Sequence, residues 1–265
     1  MMPSFHCDDD GGSRPAVVLM HGFMGSLHDW DDLRNRLRPN WRTVAVDLPG
    51  HGQSPLRQRD DFMQVVESLE NWLRQLQLAK AHLLGYSMGG RLALGLALKA
   101  PQLLASLTLE GVSPGLEESD AVEQRLAQEA GWAQAIAADK GQFLADWSAG
   151  ALFSRQAMRN PQAAEAAQLR RLEHDGRGWV GALNGYGLGR QPDLWPRLPE
   201  LDLPVLLITG GEDEKFTPVA ARMAGLLPRG QQAVIADAGH AAHLEQPAKF
   251  HAAVSEFLAA AGMKI

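Results

Sequence analysis

Apolar residues in this chain fall into short unbroken blocks set between amphipathic stretches. Ala16–Met20, Thr43–Val46, His82–Leu84, Ser106–Leu109, Val205–Thr209 and Ala233–Ile235 are such blocks, each closed by glycine or a turn. Most lack the alternation of a half-exposed strand, so they predict strands buried on both faces of a parallel sheet. Between them, Trp30–Leu37, Phe62–Leu76, Met88–Lys99, Pro218–Leu227 and Pro247–Ala260 carry apolar residues at helical spacing. Strand alternating with helix predicts a doubly wound α/β fold. About 15 residues precede the first clear block, so any earlier strand is expected to be short or absent.

The alternation breaks after Ser113 and resumes at Val205. The stretch between is rich in Ala, Gln, Glu and Arg, contains Trp132, Trp147 and Trp179, and shows no strand-like block. It predicts a helical cap over 113–190, inserted between two halves of a mostly parallel core, 1–112 and 191–265. A length of 265 residues with 45% apolar and 21% charged residues suits one such domain with an insertion.

Charge and cysteine content narrow the function classes. A net charge of −6 argues against a generic nucleic-acid binder and against a polybasic membrane anchor. The single cysteine, Cys7, forms no intrachain disulfide framework and no thiolate metal cage. No apolar run approaches the roughly 20 residues that span a bilayer, and the acidic first residues lack the pattern of a secretory signal. The expectation is a cytoplasmic enzyme, monomeric or a small homo-oligomer. No nucleotide loop, flavin fingerprint or metal cluster stands out, so no cofactor is expected.

Gly85-Tyr86-Ser87-Met88-Gly89 fits G-x-S-x-G and sits between the block His82–Leu84 and a helical stretch. A sharp strand-to-helix turn exposes the serine hydroxyl, and small residues two positions before and after it, Gly85 and Gly89, let the backbone pack closely. Ser87 also falls at a helix N-terminus, which favours developing negative charge. His21-Gly22-Phe23 follows the first block, so the backbone N–H groups of Phe23 and Met88 are expected to form an oxyanion hole. The loop after Val205–Thr209 supplies Asp213 as the acid, with Glu212 and Glu214 read as solvated loop carboxylates. His240, after the last block, is expected to be the base, and its competitor His243 is read as packing. The order Ser87, Asp213, His240 is that of α/β-hydrolases. In such a triad the imidazole takes the serine proton while the carboxylate fixes its tautomer. Asp47-Leu48-Pro49-Gly50-His51-Gly52 is read as a structural turn, with His51 as scaffold.

His21-Gly22-Phe23-Met24-Gly25-Ser26, the elbow through Gly90-Arg91, Glu110-Gly111-Val112-Ser113-Pro114-Gly115-Leu116, Phe143-Leu144-Ala145-Asp146-Trp147 and Gly189-Arg190-Gln191-Pro192-Asp193-Leu194-Trp195 carry a resemblance that runs over nearly the whole chain. The sequence resembles the 2-succinyl-6-hydroxy-2,4-cyclohexadiene-1-carboxylate synthases of menaquinone biosynthesis, which are capped α/β-hydrolase folds. The resemblance implies a lyase that removes a ring proton from an enolpyruvyl cyclohexene and expels pyruvate. It implies a small-molecule polycarboxylate as substrate. It also implies that Arg91, Arg125 and one arginine of the 170–171 pair bind carboxylates, Arg171 fitting the register better than Arg170, while Tyr86 and Trp147 line the pocket. Independently, Arg91 lies four residues after Ser87, one turn along the same helix. The interval 113–191 holds seven arginines against a single lysine. Val112-Ser113 stands where relatives often have Gly-His.

Two other readings compete. One is a true hydrolase on the same scaffold, acting on esters, lactones or carbon–carbon bonds. Carbon–carbon hydrolases usually carry Asn where this chain has Tyr86, and simple esterases have no need of Arg91. The other is a binding protein that kept the fold, a reading opposed by the complete set of triad residues and elbow glycines. Fold alone decides none of these.

Overall fold

A computed structural model describes residues 5–56, 60–78, 80–150 and 156–262. A seven-stranded sheet forms the centre, with strands β1 (Cys7–Asp9), β2 (Ala16–Met20), β3 (Arg42–Val46), β4 (Ala81–Tyr86), β5 (Leu104–Glu110), β6 (Val205–Gly210) and β7 (Gly230–Ile235). Their spatial order is β1-β3-β2-β4-β5-β6-β7, parallel except for β1, which runs antiparallel to β3 with Cys7 opposite Val46. Strands β2, β4 and β6 are buried along their whole length, matching their unbroken apolar sequence. Strand β7 starts earlier than its apolar block and is mostly half-buried or exposed. As an edge strand it lacks a neighbour on one side, so polar Gln231 and Gln232 are tolerated in it.

The helices are α1 (Asp31–Leu37), α2 (Phe62–Gln75), α3 (Met88–Lys99), α4 (Ser119–Ala138), α5 (Lys140–Ala149), α6 (Gln156–Arg159), α7 (Pro161–Glu173), α8 (Arg177–Tyr186), α9 (Phe216–Leu226), α10 (Ala242–Glu245) and α11 (Pro247–Gly262). Helix α2 shows how sequence becomes packing. Phe62, Val65, Val66, Leu69, Trp72 and Leu73 form one buried stripe, the spacing of a helix laid on a sheet. Asp61 caps it by accepting from the Gln64 N–H, and the Gln64 side chain accepts in return from the Asp61 N–H. Such a cap stabilises a helix by about 1 kcal/mol. One apolar core lies on the α2–α3 side of the sheet and a second on the α1–α11 side. The helices between β5 and β6 hold a separate small core of Met24, Ala133, Ile136, Phe143, Leu144, Trp179 and Leu183. Met24 comes from the loop after β2, so this centre also ties the inserted helices to the core beneath them.

The first strand is short, as the sequence predicts for any strand before Ala16, and ion pairs reinforce its antiparallel pairing with β3. Asp8 accepts from Arg34 Nη1 at 2.6 Å, and Asp9 accepts from Arg42 Nη2 at 2.5 Å. The Arg34 hydrogen bond holds the Asp8 carboxyl below its ordinary value, and the Arg42 hydrogen bond does the same for Asp9. A carboxylate lowered in the folded state stabilises it above the ordinary carboxylate range near pH 4, and that contribution is lost as the pH falls through the lowered value. Strand β1 is therefore expected to detach in acid before the rest of the sheet. The half-buried thiol of Cys7 reports it. Its reaction with an acid-active disulfide such as dithiodipyridine should accelerate below about pH 4 while circular dichroism stays native. Protection that persists until global unfolding would mean that the backbone pairing alone holds the strand.

Candidate active site

The C-terminal ends of β2, β4, β5 and β6 converge on one point. Ser87, directly after β4, has φ 49° and ψ −109°, a conformation that costs a non-glycine residue about 1–3 kcal/mol. The strain is held by its surroundings: Ser87 N–H donates to Glu110 O at 2.8 Å, and Gly89 passes so close to β2 that a Cβ there would sit 2.4 Å from His21 O. The turn throws the hydroxyl out of the sheet at the head of α3. His240 Nε2 lies 3.3 Å from Ser87 Oγ, and His240 Nδ1 lies 2.7 Å from Asp213 Oδ2. Asp213 is buried behind the imidazole, and its other oxygen accepts from the Phe216 N–H at 3.0 Å. With Nδ1 donating to the carboxylate, Nε2 is left to accept the serine proton. Gly111 makes room for that ring: its φ is +59°, and a Cβ would lie 2.6 Å from His240 Cε1.

His21 and His51 take no part in this row. His21 Nδ1 donates to Gly22 O at 2.7 Å and Nε2 accepts from the Leu48 N–H at 3.0 Å. Burial lowers its pKa, so the neutral ring acts as a fixed two-ended strut beneath the Phe23 loop. His51 Nδ1 donates to Pro49 O, and burial pushes that ring well down. Asp47 joins the same loops, accepting from the Leu27 and Gln53 N–H groups. His243 lies 2.8 Å from the buried Glu110 carboxylate and packs edge-on against the Tyr86 ring.

Two cavities meet at Ser87. The larger, about 100 Å³, is lined by Phe23, Ser87, Met88, Arg91, Arg125 and His240 among others; the smaller, about 30 Å³, by Tyr86, Ser87 and Arg171 among others. Phe23 and Trp147 line both, with their rings 5.7 Å apart. The buried Arg91 guanidinium donates through Nη1 to Gln191 Oε1 at 3.0 Å and to Tyr186 O at 3.3 Å. Burial lowers its pKa to about 10, so it stays charged at neutral pH. Arg125 is held by Glu129 at 2.7 Å and lies 4.8 Å from the Trp132 ring centre. The 170–171 pair divides: Arg170 pairs with Asp29 at 2.9 Å, while Arg171 Nε donates to Met24 O and faces the smaller cavity. Among the described residues, Arg91 and Arg171 form no ion pair, and each lines a different one of the two cavities that share Ser87. Arg155, one of the seven arginines of the interval, lies outside the described residues.

Sequence reasoning passed over Lys215 and Glu129. Lys215 lines the larger cavity and forms no ion pair among the described residues; burial and the nearby Arg125 lower its pKa. Only the fold carries it from the Asp213 loop to the cavity mouth. Glu129 accepts from the Leu188 and Gly189 N–H groups as well as from Arg125. Its i,i+4 spacing from Arg125 was a usable signal.

Residues 15–247 match the alpha/beta hydrolase fold family. A Bacillus subtilis protein carrying the provisional name 2-succinyl-6-hydroxy-2,4-cyclohexadiene-1-carboxylate synthase is 37% identical over 95% of this chain and 93% of its own length. The 2-succinyl-6-hydroxy-2,4-cyclohexadiene-1-carboxylate synthase of Serratia proteamaculans is 32% identical over 92% of this chain and 93% of its own. The structure of MenH from S. aureus superposes with a TM-score of 0.92 at 29% identity, covering 97% of this chain and 99% of that one. A family match over most of the length, with relatives this similar from end to end, means that the chain belongs to the α/β-hydrolase family and, within it, to the 2-succinyl-6-hydroxy-2,4-cyclohexadiene-1-carboxylate synthases.

Proposed function

We propose that this protein eliminates pyruvate from 2-succinyl-5-enolpyruvyl-6-hydroxy-3-cyclohexene-1-carboxylate, leaving 2-succinyl-6-hydroxy-2,4-cyclohexadiene-1-carboxylate. The ring carbon bearing the succinyl ketone loses its proton to Ser87 Oγ, whose own proton has passed to His240. The electron pair moves into the ketone oxygen as an enolate and returns through the ring, so that the carbon–oxygen bond to the enolpyruvyl group breaks. The departing enolate takes up a proton and becomes pyruvate, and the ring keeps two conjugated double bonds. Asp213 stabilises the imidazolium while it exists. The Phe23 and Met88 amides supply donors for the ketone oxygen as it gains charge.

The observation that carries this reading is that Arg91 and Arg171, which form no ion pair among the described residues, each line one of the two cavities that meet at Ser87. A substrate with three carboxylates spread around a ring needs positive charge on more than one side of the reacting carbon, whereas a neutral ester does not. In this reading Arg91, Arg125 and Arg171 bind carboxylates, Tyr86 and Trp147 shape the walls, and the helices of 113–190 close over the site as a cap. No helix of the described residues is long and apolar enough to cross a membrane, which suits a polar, freely diffusing substrate, and no cofactor is required for a proton abstraction and an elimination.

The test is to supply the enolpyruvyl cyclohexene precursor to the purified protein and follow pyruvate release through lactate dehydrogenase alongside loss of substrate. Release that depends on Ser87 is expected. Absence of release together with good turnover of a neutral nitrophenyl ester would make the protein a hydrolase on a shared scaffold.

A further inference from the structure

The two loops that hold Asp213 and His240 are gripped by one side chain from outside the sheet. Arg159 is the last residue of α6, within the helices inserted between β5 and β6. Its Nη1 lies 2.5 Å from Glu245 Oε2 and its Nη2 lies 2.5 Å from Glu212 Oε1. Glu212 immediately precedes Asp213. The same Glu245 oxygen accepts from the N–H of Gly239 at 2.9 Å, and Gly239 immediately precedes His240. One planar guanidinium thus spans the residue before the acid and the carboxylate that pins the residue before the base. Next to it, Asn160 caps α7 by accepting from the Ala163 N–H, and its amide donates to Leu244 O at 2.8 Å. The α6–α7 joint is therefore seated on α10, the short helix that follows His240.

We propose that Arg159 is a positioning residue: by bridging Glu245 and Glu212 it carries the seating of the inserted helices to the loops that hold His240 and Asp213. The proposal rests on the reading of His240 as base. Arg159 lines neither cavity at Ser87, so it acts through those loops and not on substrate. Backbone hydrogen bonds from Glu212 N–H to Ala238 O and from Gly211 N–H to Ile235 O tie the two loops together without it. Loss of Arg159 therefore leaves the loops folded but frees the 3.3 Å approach of His240 to Ser87. Small misplacements of that kind slow chemistry far more than they weaken binding. The fork geometry matters, because lysine is a point charge that reaches one carboxylate at a time. Glu245 is buried, and without the guanidinium its charge has lost its compensating partner.

The experiment compares Arg159→Ala and Arg159→Lys with the parent protein. Two readouts are used: kcat and KM for pyruvate release, and the far-downfield proton resonance of the His240 Nδ1–H to Asp213 hydrogen bond. Arg159→Ala should lower kcat about tenfold with KM within about threefold, and should broaden or shift the resonance. Arg159→Lys should recover part of both. Melting followed by circular dichroism confirms that the variants are folded. An unchanged resonance with unchanged kcat overturns the proposal, as does a rise in KM at constant kcat, which would place Arg159 on the substrate. If His240→Ala retains turnover, the reading of His240 as base fails, while the resonance comparison still judges the bridge by itself.

Discussion

Ser87→Ala is expected to lose about three orders of magnitude in kcat for pyruvate release, the scale of a positioned proton-transfer group, while KM stays within about threefold. The hydroxyl lies 3.3 Å from His240 Nε2, placed to carry the proton from the ring carbon to that nitrogen. Substrate affinity resides elsewhere, in the arginines of the two cavities, so binding should survive. The fold should survive as well: the φ of 49° is imposed by the β4–α3 junction and the Ser87 N–H to Glu110 O bond, neither of which involves the side chain. Stopped or steady-state pyruvate release with a melting curve on the same sample decides it. Retention of more than a tenth of the parent kcat would remove Ser87 from the proton path.

Arg91→Ala is expected to reduce kcat/KM for the polycarboxylate by about 10–100-fold, the value of a charge-assisted hydrogen bond to a carboxylate. Hydrolysis of a neutral nitrophenyl ester, if the protein supports it, should change by no more than about threefold. The reasoning is local. Arg91 stands one turn after Ser87 in α3, is buried, and spends Nη1 on Gln191 and Tyr186 O, with no ion pair among the described residues. A buried cation that Glu129 offsets only from a distance is costly, and an anionic ligand reduces that cost on binding. Arg91→Lys should restore little, since an ammonium cannot keep the bonds to Gln191 and Tyr186 O and still fork toward a carboxylate. Equal losses on both substrates would make Arg91 a structural tie between α3 and the Tyr186–Gln191 segment.

Sequence alone reached a long way where each signal is local. A short, nearly all-apolar block such as Val205–Thr209, closed by Gly210-Gly211, fits a strand with both faces covered, and the sheet places β6 there. The break in alternation after Ser113 marked where strand would give way to helix, since a stretch without blocks has nothing to add to a sheet. The elbow was legible for the same kind of reason: a serine with glycine two positions before and after it at a strand–helix junction suits a sharp turn. Motif order then named Asp213 and His240, whose side chains lie in one hydrogen-bonded row with Ser87. The separation of Arg170 from Arg171 was not legible. Adjacent residues on one helix point about 100° apart, and which of them meets Asp29 depends on how α7 lies against the short 3-10 helix Leu27–Trp30 and not on either residue's identity. Lys215, Glu129 and the Arg159 bridge were hidden for a related reason. Each is an ordinary charge in an ordinary loop or helix until distant segments come together. Arg159 meets Glu245 across 86 positions of sequence. The chain's own pattern thus determined the fold, the elbow and the order of its partners, because backbone sterics and apolar burial act over a few neighbouring residues. Only the tertiary structure decided which charges face the cavities and which are spent on one another, because that depends on distances between elements that no local pattern encodes.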